Sequence, residues 1–263
     1  MRIIESIEQM FFANFRYLGS LNSSFYQSGS ILAMHSGVAC DDLNMAWNEK
    51  PLSAKDSKTI QDIKNFYQKV KLPFWWWVFP CGQSQTTIDM LKAEGFSLVV
   101  QVPSLLADLT ALSIEKHGSS LKVIQAGNKE EISWWEEVSF AGFDFQPETR
   151  QQFHKFISTF NTNPDSPQKI FLALLNEKPV ATTLLFLNKK SAGIYFVSTL
   201  PEYRKKGIGL ALTLATMSFA KQAGAEFATL QSSPDGLRVY KQAGFKEYCK
   251  ADIYSLTAIP LPN

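Results

Sequence analysis

Between residues 201 and 219 the chain reads PEYRKKGIGLALTLATMSF. Arg204, Lys205 and Lys206 form a basic run, Gly207 and Gly209 follow one residue apart, and no further Gly or Pro comes before Gly224. The first turn of a helix has unpaired N–H groups, and its dipole favours negative charge there. Without a Cβ, Gly207 and Gly209 would let a phosphate come close to those N–H groups. The chemistry this spacing predicts is anion binding at a helix N-terminus. The plain alternative is a strand–loop–helix with a solvated basic run and glycines that merely turn the chain. A dinucleotide-binding G-x-G-x-x-G does not fit. The third glycine position holds Leu212, Pro201 to Lys206 separate the preceding strand from the glycines, and no acidic residue ends the next strand.

Such a site needs a strand to deliver the loop and a helix anchored behind it. Ile208, Leu212, Ala215 and Phe219 recur at helical spacing, and Leu210, Leu214 and Met217 fill a second face. This helix is expected to be buried against a sheet. Residues 193–200 (GIYFVSTL) read as the strand before it. After it come a strand at 227–233, a short helix within 234–245 opened by Pro234 and stopped by Gly244, and a strand at 248–256. Upstream, a strand at 122–126 leads to helices at 130–140 and 149–160 around a loop at 142–147. A breaker-rich turn (161–167) and a hairpin of 170–175 with 180–187 follow. The first half reads as a helix at 3–18, a polar loop at 19–30, a strand at 31–39 and a helix within 53–70 with Ser57 as N-cap. It continues with an apolar strand at 74–79, a short helix at 84–94 ended by Gly95, and a strand at 96–102 stopped by Pro103. A polar link at 115–120 joins the halves. The fold class this predicts is α/β, a mixed sheet flanked by helices.

In this context R-x-x-G-x-G at Arg204, Gly207 and Gly209, preceded by Pro201 and Tyr203, resembles the signature motif of the GCN5-related N-acetyltransferase (GNAT) superfamily. The resemblance covers roughly residues 121–256 and implies a GNAT fold that transfers an acetyl group from acetyl-CoA to a primary amine. It places the coenzyme's pyrophosphate on the N–H groups of Lys205, Lys206, Gly207, Ile208, Gly209 and Leu210, with Arg204 at the rim. It runs the pantetheine along Val197, Ser198 and Thr199 as an added strand would lie. Ser233 stands where some members carry an Asn at the coenzyme. Tyr240 stands where a family tyrosine often acts as general acid. A phenol near pKa 10 is protonated at neutral pH and can give its proton to a thiolate. A packing tyrosine on an amphipathic helix is the plain alternative. Some members have a Glu base on the strand before the motif; Gly193, Ile194 and Tyr195 offer none. Acceptor selectivity is expected from Phe143, Asp144 and Phe145 with Trp134 and Trp135. Asp144, Glu136 and Glu137 are the acids that could draw an ammonium group; the plain alternative is that Trp135 and Phe143 are core and the acids solvated.

A weak internal repeat accompanies this. LKAEGF (91–96) and YKQAGF (240–245) lie at a constant offset of 149 residues. Gly-Phe after a helix is also a common C-cap. Read as a repeat, the chain divides into a degenerate GNAT-like domain at 1–112 and a catalytic domain at 120–263. In the first copy Leu91 replaces the tyrosine and the glycine motif is absent. Alternation along a strand puts Trp75 and Trp77 on one face and Trp76 on the other.

The net charge of +2 argues against a nucleic-acid partner held by bulk electrostatics. Cys40, Cys81 and Cys249 show no disulfide or zinc spacing and are expected to be reduced thiols. No metal is expected. Glu5 and Glu8 interrupt any export signal, and no run reaches membrane-span length, so the expected location is cytoplasmic with no membrane partner. His35, His117 and His154 have no partner evident in sequence. The partner implied is a small-molecule or peptide amine; oligomeric state is left open. The competing functional class is a non-catalytic acyl-CoA-binding or regulatory module. A weaker third is an interaction domain using the tryptophan strand.

Overall fold

Three consecutive tryptophans cannot all face one way in a strand, and the core of this protein forms around that fact. In a computed structural model, which describes residues 3–22, 24–111 and 121–256, Trp77 is buried in one aromatic core and Trp76 in another on the opposite face of the sheet. His117 and the polar link at 115–120 lie outside the described residues.

The elements are α1 (Ile3–Leu21), β1 (Phe25–Ser28), β2 (Ile31–His35), β3 (Asn44–Asn48), α2 (Ser57–Val70), β4 (Trp75–Val78), α3 (Gln85–Ala93) and β5 (Ser97–Asp108). There follow β6 (Leu121–Gln125), α4 (Lys129–Gly142), α5 (Arg150–Ile157), β7 (Gln168–Leu175), β8 (Lys178–Asn188), β9 (Ser191–Thr199), α6 (Ile208–Gln222), β10 (Phe227–Gln231), α7 (Leu237–Gln242) and β11 (Lys246–Ser255). All the strands join one sheet in the order β1-β2-β3-β4-β11-β5-β10-β9-β8-β7-β6. Among the described residues only β3–β4 and β9–β10 pair in parallel. Helices α1, α4 and α5 cover one face, where Phe11, Trp135 and Phe153 are buried. On the other face α6 and α7 pack as one cluster, with Leu212 and Tyr240, and α2 and α3 as a second, with Tyr67 and Leu91.

The repeat runs through the whole architecture. Shifted by 149 residues, α2, α3 and β5 fall on α6, α7 and β11, and β2 and β3 fall within β8 and β9. The last strand of each half crosses over: β11 lies against β4, and β5 lies against β10. The two meet at the centre, Ile253 opposite Val100.

Several sequence expectations are corrected. Residues 25–28 are a strand, not loop: Gly29 at φ +59° turns a tight hairpin that pairs Ser28 with Ile31. The strand at 31–39 stops at His35 and returns as β3, which the sequence did not announce. Its Asn44 is fully buried, accepting from Ser36 N and donating to the carbonyls of Val38, Cys40 and Pro73. Ser57 does not cap α2. Ser53 and Asp56 form a capping box one turn earlier. Pro103 does not end β5. Its carbonyl accepts from Ser232 N at 2.9 Å, beyond the last β10 pair at Ser104. N–H and C=O of a strand residue point the same way, so the missing proline donor faces the side where the ladder has already stopped.

Candidate active site

Strand β9 positions the site. Its parallel pairing with β10 ends at Gly193, yet its pairing with β8 continues to Thr199. Ile194 to Thr199 therefore leave one edge without a strand partner, open to hydrogen bonding by an extended ligand. A bulge opposite Thr183, with Phe196 at φ +50°, bends the strand there. Ser198 is buried, its Oγ 2.7 Å from Thr182 Oγ1, so its side chain is committed and its backbone is what it can offer. Gly142 lets the end of α4 approach this strand: a Cβ there would stand 2.7 Å from Ser198 Oγ.

Pro201–Tyr203 form a short turn, and the loop then enters α6. Gly207 is the N-cap, in the left-handed region at φ +77°, and no side chain caps the helix. Gly209 lies in the first turn, where glycine costs about 0.5–1 kcal/mol relative to alanine. No tight packing requires it, since an added Cβ would meet only Thr199 Oγ1 at 3.7 Å. A glycine that nothing inside the protein demands fits a close approach from outside. Lys205 and Gly207 are exposed, and Lys206 Nζ sits 5.3 Å from the Tyr203 ring. Arg204 differs from its neighbours. Its Nε donates to Thr199 O at 3.0 Å and its Nη2 to Gly142 O at 2.8 Å. The guanidinium thus ties loop, strand end and α4 together.

Tyr240, on α7, is 9 % exposed, and burial pushes its phenol well above the ordinary tyrosine range. It packs on Phe245 and Gly236, and among the described residues its hydroxyl makes no hydrogen bond. Ser233 is exposed, and its Oγ accepts from Gly236 N at the start of α7.

On the α1 side a solvent-open cleft abuts the β9 bulge. The second half contributes Phe143, Phe145, Phe156, Tyr195 and Phe196. The first half contributes Phe15, Leu18, Met34, Leu43, Met45 and Trp77, with Asp42. Phe143 and Phe145 are where selectivity was expected. Trp135 is not: it is fully buried, its Nε1 donating to Thr183 O. Glu136 is held by His154, Nδ1 to Oε2 at 2.9 Å, a pairing not evident in sequence. Asp42 was missed altogether. It comes from a short turn, Asp41–Leu43, and reaches the cleft only because the first half packs against β9. Asp42 is exposed by area, yet protein atoms surround its carboxyl where it lines the cleft, and that desolvation, with Asp41 adding repulsion, pushes its pKa up to about 6. Among the described residues neither Asp41 nor Asp42 forms an ion pair.

Among the described residues of the first half, the two corresponding positions are filled by the protein's own groups. Its parallel strand β3 ends one residue past its last pair, and Asn48 fills the space beyond, donating to Gly82 O and Lys50 O and accepting from Trp76 Nε1. At the start of α2 the Asp56 carboxylate accepts from Ser53 N, putting negative charge where an anion would bind.

Residues 129–245 match the family model described as Acetyltransferase (GNAT) family. No curated protein matches the chain. Among solved structures, the chain is similar to a GCN5-related N-acetyltransferase from Kribbella flavida, with 17 % identity, TM-score 0.71 and 94 % of each chain covered. It is also similar to one from Sphaerobacter thermophilus, with 14 % identity, TM-score 0.64, and 88 % of this chain and 79 % of that one covered. A tandem GNAT protein from the clavulanic acid biosynthesis pathway matches at 11 % identity and TM-score 0.56, over 90 % of this chain and 82 % of that one. At these identities the likeness is one of fold. Residues 129–245 therefore carry a GNAT-family acetyltransferase domain, and the fold of the whole is that of GNAT structures, with two GNAT-like halves in tandem.

Proposed function

We propose that the protein is an N-acyltransferase that moves an acetyl group from acetyl-CoA to a primary amine, with one working site in the second half and a degenerate partner domain in the first. The observation that carries this reading is the open edge of β9 running into an uncapped, glycine-started helix. The edge from Ile194 to Thr199 suits a pantetheine arm. The N–H groups from Lys205 to Leu210, with Lys205 and Lys206 beside them, suit the pyrophosphate. Arg204 shapes this loop through Thr199 and Gly142 more than it neutralises charge. Acetyl-CoA supplies a thioester carbonyl as acyl donor.

The reaction balances in two stages. An amine bound as its ammonium form first releases one proton to solvent; the neutral nitrogen then forms the new N–C bond, the C–S bond breaks, and one proton moves from nitrogen to the leaving sulfur. Tyr240 is protonated at neutral pH and so has a proton to give the leaving sulfur, although burial makes it a weaker acid than an exposed phenol. The cleft at Tyr195 and Phe196 is the natural acceptor site, since the same strand continues into Val197–Thr199. The non-catalytic alternative keeps the loop but predicts no turnover. Incubation with acetyl-CoA and a mixed amine panel, read by mass spectrometry, is expected to give an acetylated amine and free CoA. Tight coenzyme binding with no acetylated product from any amine would favour the binding-module reading.

A further inference from the structure

We propose that the acceptor cleft takes an amine on an apolar, preferably aromatic, body, and that Asp42 from the first half holds its ammonium group. The proposal rests on the acyltransferase reading for the word acceptor, but its binding claim stands on the cleft alone. Eleven of the twelve lining residues are apolar or aromatic, and Asp42 is the only formal charge among them. A polyamine, a sugar amine or a peptide rich in polar side chains would find few hydrogen-bond partners in such walls, and buried polar groups without partners are costly. A phenyl or branched alkyl body would instead bury apolar surface against Phe145, Phe156 and Trp77. Aromatic faces also attract a cation, so the rings and the carboxylate favour the same charged group.

The carboxylate is available for this work. Asp42 accepts no side-chain hydrogen bond and forms no ion pair among the described residues. Asp41 beside it has Oδ2 shielded from solvent and without a donor. Two neighbouring carboxylates with no basic partner are costly to fold and favour a cation brought from outside. The spatial order is also right. Asp42 and Phe196 share the cleft, and Phe196 immediately precedes the strand edge assigned to the pantetheine. A short apolar amine anchored there lies between the first half's carboxylate and the second half's coenzyme site, which gives the degenerate half a direct part in substrate choice.

The test is calorimetric titration of the full-length protein, without coenzyme, using 2-phenylethylamine, its neutral analogue 2-phenylethanol, and spermidine. The amine is expected to bind at least tenfold more tightly than the alcohol and than spermidine. Asp42→Asn should remove the preference for amine over alcohol while leaving alcohol binding within twofold, and Asp42→Glu should restore part of it. Phe145→Ala should weaken amine and alcohol alike, about tenfold. An Asp42→Asn protein that binds 2-phenylethylamine as well as the parent, or a parent that prefers spermidine, would overturn the proposal. The expected binding pattern with no acetyl transfer would support the cleft assignment and count against the acyltransferase reading, so the two fail separately.

Discussion

At the residue scale, the groups read most easily from sequence are those whose partners are local. Gly207, Gly209 and Tyr240 sit within one strand–helix–strand–helix run, so spacing alone brings them to attention. Tyr240→Phe is expected to lower kcat by about 10²–10⁴-fold with acetyl-CoA affinity unchanged, because a proton donor acts mainly in the transition state; steady-state rates beside calorimetry check this. Asp42 could not be read this way. Its neighbours in the cleft are Tyr195 and Phe196, and only tertiary packing joins them. Its raised pKa makes a signed prediction. Relative to an unfolded value near 3.8, a folded value of about 6 means the folded state holds a proton that the unfolded state has released. Stability from this group is thus full below about pH 4 and is lost as pH rises to 6 and beyond. Asp42→Asn should therefore melt with the parent at pH 4 and above it at pH 7. Equal melting temperatures at both would remove the strained carboxylate from the account.

At the scale of elements, helical spacing gave α6, the Pro234 and Gly244 stops gave α7 and an unbroken apolar run gave β4, whereas β1 and β3 were hidden by their composition. FYQS and NMAWN are short and half polar. Asn44 and Asn48 look like loop residues until their buried hydrogen bonds are seen. Pro103 misled for a related reason, since a single breaker is harmless where the ladder has ended. The loop before α6 was legible, but the job of Arg204 within it was not. Arg204→Ala should weaken acetyl-CoA binding about tenfold by freeing the loop, given roughly 1.5–3 kcal/mol for a charged hydrogen bond in a favourable setting. Arg204→Lys should recover little, because an ammonium cannot span two carbonyls as the planar fork does. Full affinity in the lysine variant, measured by calorimetry, would show that charge alone matters.

At the scale of the molecule, the offset of 149 residues was visible in two short segments, and the crossing of the final strands was not. Strand exchange leaves no local mark, because β5 and β11 would look the same paired within their own halves. Its consequence is mutual dependence: residues 121–263 alone would lack β5 between β10 and β11 and lose α1 from the face of β9. That fragment is expected to be insoluble or unfolded by circular dichroism; a folded, fully active fragment would contradict the shared architecture. Titration of acetyl-CoA into the parent and Gly209→Glu decides whether a single coenzyme site lies at the start of α6. Space around Gly209 lets the variant fold, while the side chain and its charge occupy the anion position. One site per chain is expected in the parent and none in the variant, with an unchanged melting temperature. Two sites in the parent, or equal affinity in the variant, would contradict it.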